Sequence, residues 1–183
     1  MISKNKIVVV YGGRFQPMHL GHVHVYDHLC QKFGKENVWI TTSNKQGPDN
    51  PLNFKQKQHI GSKFFGIPKS RIVQCKIPYV PHELLDRIPN NNFSLILAMG
   101  EKDKDRLLNG NYFVNLPKNI DNLQKAENKA YIYATEMFAD GRNATSIRKQ
   151  FISNIPSKKK KELFIKLFGD FDQSIFNTLT NQY

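Results

Sequence analysis

The run Ile7-Val8-Val9-Val10 followed by Tyr11-Gly12-Gly13-Arg14-Phe15-Gln16-Pro17-Met18-His19-Leu20-Gly21-His22 limits what this chain can become. A nearly continuous β-branched stretch suits a strand buried on both faces. Strands of that kind lie in parallel sheets covered by helices on each side. The segment after the turn has helical spacing, so a buried strand runs through a glycine-rich turn into a helix. Backbone N–H groups and a helix N-terminus then meet at one spot, which is a ready anion site. His19 and His22 sit where a phosphate would lie.

The rest of the chain repeats the strand–helix alternation. Val23, Tyr26, Leu29, Cys30 and Phe33 share one helical face, and Gly34 ends that helix. Val38 to Ser43 reads as a second strand, and Asn44 to Pro51 as a polar loop. Asn53 caps a helix reaching about Phe65, closed by Gly66 and Pro68. Arg71 to Ile77 is the third expected strand, His82 to Ile88 a short helix, and Phe93 to Met99 the fourth strand. The polar, Asn-rich stretch from Asn109 to Asn128 reads as loop with some helix.

Ala130 to Met137 is the fifth expected strand, Asp140 to Asn143 a turn, and Thr145 to Ile152 the start of a helix. Past Pro156, Lys158 to Lys161 precede an apolar stripe of Leu163, Phe164, Leu167 and Phe168, and Gln173 to Leu179 reads as a last helix. The expected fold is therefore α/β. It is a Rossmann-like, open, parallel five-stranded sheet with flanking helices and a helical C-terminal tail. We read 1–183 as one domain, with a core over about 5–152 and a basic tail over 153–183. Ligands of such sheets bind beyond the carboxyl ends of the strands. Gly12 to His22, Ser43 to Lys45, Gly100 to Asp103 and Asp140 to Arg148 should converge there.

Composition narrows the partners. Lys plus Arg number 27 against 15 Asp plus Glu, a formal charge of +12, which favours anionic partners. Solvated surface lysines would account for the same number. Cys30 and Cys75 form no Cys-x-x-Cys pair, which argues against a zinc site or a disulfide framework and suits a reducing compartment. The apolar run after Lys4 and Lys6 is too short for a signal peptide, and Phe93 to Met99 is too short to span a bilayer. A cytoplasmic protein with no membrane partner is the expectation.

The first turn lacks the dinucleotide glycine fingerprint, and no phosphate loop ends in Gly-Lys-Ser. Gly61-Ser62-Lys63-Phe64-Phe65-Gly66 has the glycine spacing, but Ile67 and Pro68 follow where a lysine is needed. What stands instead, Gly13 to His22, resembles the signature of the HxGH nucleotidyltransferase superfamily. Arg14-Phe15-Gln16-Pro17 is the form seen in archaeal-type nicotinamide mononucleotide (NMN) adenylyltransferases. Cytidylyltransferases and pantetheine-phosphate adenylyltransferases usually read Thr-Phe-Asp there. Arg142-Asn143-Ala144-Thr145-Ser146-Ile147-Arg148 resembles the second family motif, Ile-Ser-Ser-Thr-x-x-Arg. Thr145 and Arg148 match it, while Arg142 and Asn143 depart from it. The two motifs come in the family's order and separation.

The resemblance implies transfer of AMP from ATP to a phosphorylated acceptor, with NMN favoured by the Arg-Phe-Gln-Pro turn. It implies His19, His22, Arg14 and Arg148 as the groups that stabilise charge on phosphoryl oxygens. Gly12, Gly13, Phe15, Gln16, Gly21, Asn143, Thr145 and Ser146 are the expected nucleotide contacts. Asn44, Lys45, Lys57 and Asp103 are expected on the acceptor side, with Glu101 a rival for Asp103. Mg²⁺ would arrive on the triphosphate, with no protein metal site. Relatives often form oligomers, which leaves a homo-oligomer open. Two other readings compete: a superfamily transferase using CTP or another acceptor, and a non-enzymatic nucleotide- or nucleic-acid-binding protein. The basic tail favours the latter, and the retained histidines and arginines oppose it.

Overall fold

The computed structural model describes residues 6–89, 92–108, 110–135 and 143–181. Its centre is β1 (Lys6–Gly12), whose consecutive residues feed opposite sides of the sheet. Val9 packs into a core with Leu29, Ile60, Phe151 and Phe164. Val8 and Val10 pack on the other face with Leu84, Leu97 and Met99. Burial on both sides explains why this strand carries no polar alternation.

From β1 the chain runs through α1 (Leu20–Phe33) to β2 (Val38–Thr42), then α2 (Phe54–Phe65) and β3 (Ile72–Gln74). After α3 (His82–Leu85) come β4 (Phe93–Gly100), a 3-10 turn over Glu101–Arg106, β5 (Phe113–Asn115) and β6 (Ala130–Thr135). Three helices follow: α4 (Ala144–Ile152), α5 (Ser157–Phe168) and α6 (Gln173–Thr180). The sheet has six strands in the order β3-β2-β1-β4-β6-β5. Every pairing is parallel. The chain reverses its direction of travel between β1 and β4, so the crevice outside the carboxyl ends of those strands is the natural ligand position.

Six strands replace the expected five. The extra one, β5, falls in the stretch read as loop with some helix, and residues 110–128 contain turns but no helix. Three residues at a sheet edge are too few for alternation to register. The third strand is shorter than expected, because the chain leaves the sheet after Gln74 toward Pro78. The short helix ends at Leu85 rather than Ile88. Of the expected fifth strand, residues 136 and 137 lie outside the described residues, as do Asp140, Gly141 and Arg142 of the expected turn.

Capping chemistry sets several boundaries. Asn53 Oδ1 accepts from the Gln56 N–H at 2.9 Å while Gln56 reaches back to the Asn53 N–H, so α2 starts on a capping box. Gly66 ends it in the left-handed conformation, at φ 67°. In the tail, Phe164, Leu167 and Phe168 are buried. Phe164 contacts Phe151 and Phe176 edge-on, so the apolar stripe closes one face of the main core. Among the described residues no helix is long and apolar enough to cross a membrane.

Candidate active site

A crevice of about 290 Å³ opens beyond the carboxyl ends of β1, β4 and β6. Its floor is the turn from Gly12 to Gln16, and its packing is tight. A Cβ on Gly12 would lie 2.8 Å from the Pro78 carbonyl oxygen, and one on Gly13 2.8 Å from the Phe15 ring. Phe15 itself sits at φ 46°, in the left-handed region that non-glycine residues avoid. Its ring is buried edge-on against Tyr11 and His22, with centroids 5.4 and 5.0 Å away. The unusual backbone thus turns an apolar side chain inward and leaves Arg14 exposed at the rim.

His19 is the N-cap of α1, and His22 lies in its first turn. The rings are 3.8 Å apart. Burial, reinforced by the neighbouring His19, pulls the His22 imidazole down to about 3. It is therefore neutral at physiological pH. Its Nδ1 accepts the His19 backbone N–H at 3.3 Å. A neutral ring that accepts at Nδ1 carries its proton on Nε2, so His22 is set as a donor.

The opposite wall is the N-terminus of α4, where Asn143, Ala144, Thr145 and Arg148 line the crevice. Asn143 Oδ1 accepts from the Ser146 N–H at 2.9 Å, and Ser146 Oγ donates to the Asn143 carbonyl at 2.9 Å. Both side chains are spent on the cap, and Ser146 is not part of the lining. Arg148 is buried. It donates from Nη1 to the Gln16 carbonyl at 2.6 Å and from Nη2 to Thr145 Oγ1 at 3.4 Å. It thereby ties α4 to the first turn. Burial lowers its pKa, Asp49 opposes that shift, and the positive field of Arg14 adds to it. Two helix N-termini and two guanidinium groups face one space, which makes it strongly anion-seeking.

The expected groups divide by where the structure puts them. His19, His22, Arg14, Arg148, Gly12, Gly13, Phe15, Gln16, Gly21, Asn143, Thr145 and Asp103 line the crevice. Gln16 does so by its main chain, since its amide is buried and exchanges two hydrogen bonds with the Leu52 backbone, at 2.8 and 2.9 Å. Asn44, Lys45 and Lys57 do not line it. Asn44 Oδ1 accepts from the Phe54 N–H at 2.7 Å.

Lys57 points inward and is 1% exposed. It donates to the Ser43 carbonyl at 2.7 Å and to Thr42 Oγ1 at 3.2 Å. Thr42 Oγ1 in turn donates to the Arg14 carbonyl at 3.3 Å. Burial pulls the Lys57 ammonium down to about 8. It braces the floor from behind. Sequence reasoning missed Tyr79 and Thr135, which also line the crevice. Tyr79 lines the crevice, whereas Ser43 to Lys45 do not. Its ring lies 3.0 Å from where a Gly12 Cβ would be, on the segment that Thr41 Oγ1 holds by the Pro78 carbonyl at 2.7 Å. The signal was its position between Pro78 and Pro81, just past a strand's carboxyl end. Among the described residues no group of three or more His, Cys, Asp or Glu side chains is placed to hold a metal ion.

A cytidylyltransferase-like family profile matches residues 10–60, from the end of β1 through the crevice turn to α2. A probable nicotinate-nucleotide adenylyltransferase of Flavobacterium psychrophilum is 27% identical over 114 residues. The similarity to the cytidylyltransferase-like family is thus carried by the end of β1, the crevice turn and the two helices that follow. The match to the Flavobacterium relative spans 54% of this chain and 56% of that protein, just over half its length. Two solved structures share this fold. The Plasmodium falciparum nicotinic acid mononucleotide adenylyltransferase complexed with NaAD aligns at a TM-score of 0.55 and 12% identity, covering 86% of this chain and 89% of that one. The same enzyme complexed with APC aligns at 0.53 and 11% identity, covering 95% and 94%.

Proposed function

We propose that the chain is an adenylyltransferase that joins the AMP moiety of ATP to a pyridine mononucleotide, NMN in the first instance. One observation carries the reading. The N-terminus of α1, with His19 and His22, faces the N-terminus of α4, with Thr145 and Arg148, across a single crevice at the switch point of the sheet. A polyphosphate laid between them would meet donors on both sides.

No base is needed. The acceptor's phosphomonoester has a second pKa of about 6 and is largely dianionic at neutral pH. One of its oxygens attacks the α-phosphorus of ATP, the bond from that phosphorus to the α–β bridging oxygen breaks, and pyrophosphate leaves. Catalysis is then positioning and charge stabilisation. His22, neutral and protonated on Nε2, donates to the phosphoryl oxygens without gaining or losing a proton. Arg14 and Arg148 hold the charge that accumulates as pyrophosphate departs. The donor set fits Mg²⁺ carried on the triphosphate, with phosphate oxygens and water as its main ligands and Asp103 the crevice-lining carboxylate. When bound, the ion neutralises the departing pyrophosphate.

Arg-Phe-Gln-Pro in the first turn supports NMN, and the names of the relatives support its acid counterpart, nicotinate mononucleotide. Pyrophosphate release should require ATP, Mg²⁺ and one of these two acceptors together, with NMN giving the higher kcat/KM. His22→Ala should lower kcat by at least about a hundred-fold, the scale of losing one preorganised donor. Equal turnover with CTP and an unrelated phosphomonoester would overturn the acceptor assignment. Silence across a broad acceptor panel would favour a binding protein.

A further inference from the structure

Arg148 has a partner that neither motif predicts. Asp49 Oδ1 lies 3.8 Å from its Nη2, and the Asp49 side chain is 83% exposed where that of Arg148 is 10% exposed. Asp49 sits near the tip of the 44–51 loop. Gly47 and Asn50 close that tip with reciprocal hydrogen bonds of 3.1 and 2.8 Å. The ends of the loop are pinned. Asn44 caps the start of α2, and Leu52 is held by both ends of the Gln16 amide. The loop therefore presents one carboxylate, on a short closed turn, to a buried guanidinium at the edge of the crevice.

The two sides of this contact are unequal. Arg148 is fixed by Gln16 and Thr145 and has the positive field of Arg14 beside it. Asp49 is held by little except that charge, so an anion with better geometry can take its place. We infer that Asp49 is the internal counter-ion of Arg148, which a polyphosphate must displace when it binds. The inference rests on the proposed nucleotide site. It adds that the 44–51 loop loses its contact with Arg148 when the triphosphate arrives. Asp49 is thus a positioning residue that competes with substrate.

The test is calorimetric binding of ATP, with EDTA present, to the wild type and to Asp49→Asn, using adenosine as the control. The substitution is exposed and isosteric, and thermal unfolding checks that the fold is intact. The variant should bind ATP about two- to five-fold tighter at low ionic strength, the scale set by one exposed ion pair. The gain should shrink as salt is raised. Adenosine affinity should not change, whereas a loop that shaped the base pocket would move both ligands. Unchanged ATP affinity overturns the inference and makes Asp49 an ordinary surface charge. Weaker ATP binding overturns it too, by making Asp49 a ligand. If ATP binds neither protein, the nucleotide reading fails and takes this inference with it.

Discussion

His22 and Lys57 show how single groups are tuned by burial around the crevice. The folded-state pKa of His22, about 3, lies far below its ordinary 6.5. Between those values the unfolded chain binds the extra proton, so this group's contribution is present above pH 6.5 and lost as pH falls toward 3. In equilibrium unfolding, the wild type should lose more stability between pH 7 and pH 5 than His22→Gln does. The excess is on the order of 1 kcal/mol, because the ring is only half-buried and water screens it. Equal losses would mean that His22 is not held neutral.

Lys57 works in the alkaline range. Its folded pKa of about 8 lies below the ordinary 10.5, so the buried charge is relieved as pH rises through that window. Stability should rise in the wild type relative to Lys57→Met by about 1 kcal/mol between pH 7.5 and pH 9.5. A constant difference would contradict a buried, charged lysine. The sequence position of Lys57, four residues past the Asn53 cap, does not reveal that its long side chain turns under the sheet's edge. Its direction depends on how α2 packs, and an acceptor contact was the natural reading of a lysine there.

At the scale of elements, the local rules were readable wherever capping chemistry set the boundary. Asn53 and Gly66 bound α2, and Gly34 ends α1. The elements that escaped reading were those fixed by distant contacts. β5 exists because Phe113, Val114 and Asn115 pair with Ala130, Tyr131 and Ile132. Tyr79 reaches the crevice because the Pro78 carbonyl is held by Thr41 and nests against Gly12. Both depend on partners far away in the chain.

The last helix offers a test at this scale. Asp172 caps α6 by accepting the Ile175 N–H at 3.0 Å. Its Oδ2 also pairs with His59 at 3.0 Å and Lys63 at 3.2 Å on α2. These bonds, led by the cap, hold its carboxyl down at about 2. Asp172→Ala should cost about 1–2 kcal/mol in denaturant unfolding, and Asp172→Asn distinctly less because it keeps the cap. Equal losses would assign the energy to the ion pairs instead. For the wild-type carboxylate, this contribution is complete above pH 3.8 and fades as pH falls toward 2.

Across the whole molecule, the buried first strand, the turn behind it and the distant Thr145/Arg148 pair were enough to foresee a parallel sheet with a phosphate-seeking crevice. Much of the crevice lining was legible because it sits on short motifs at strand and helix ends. The lining by Tyr79 was not, because its loop is brought to the crevice by a distant contact with Thr41. The excess positive charge divides between this crevice, where Arg14 and Arg148 converge, and exposed surface such as Lys158, Lys159 and Lys161 on α5. A nucleotide confined in the crevice should respond less steeply to salt than nucleic acid bound along the surface.

The central claim is that the crevice between α1 and α4 transfers an AMP group. The most direct measurement follows ATP labelled at the α-phosphorus, mixed with Mg²⁺ and NMN. The label should appear in a dinucleotide in step with unlabelled pyrophosphate, and His22→Ala should slow its transfer by at least about a hundred-fold. Label that never reaches the acceptor, or transfer undiminished in His22→Ala, would contradict the account.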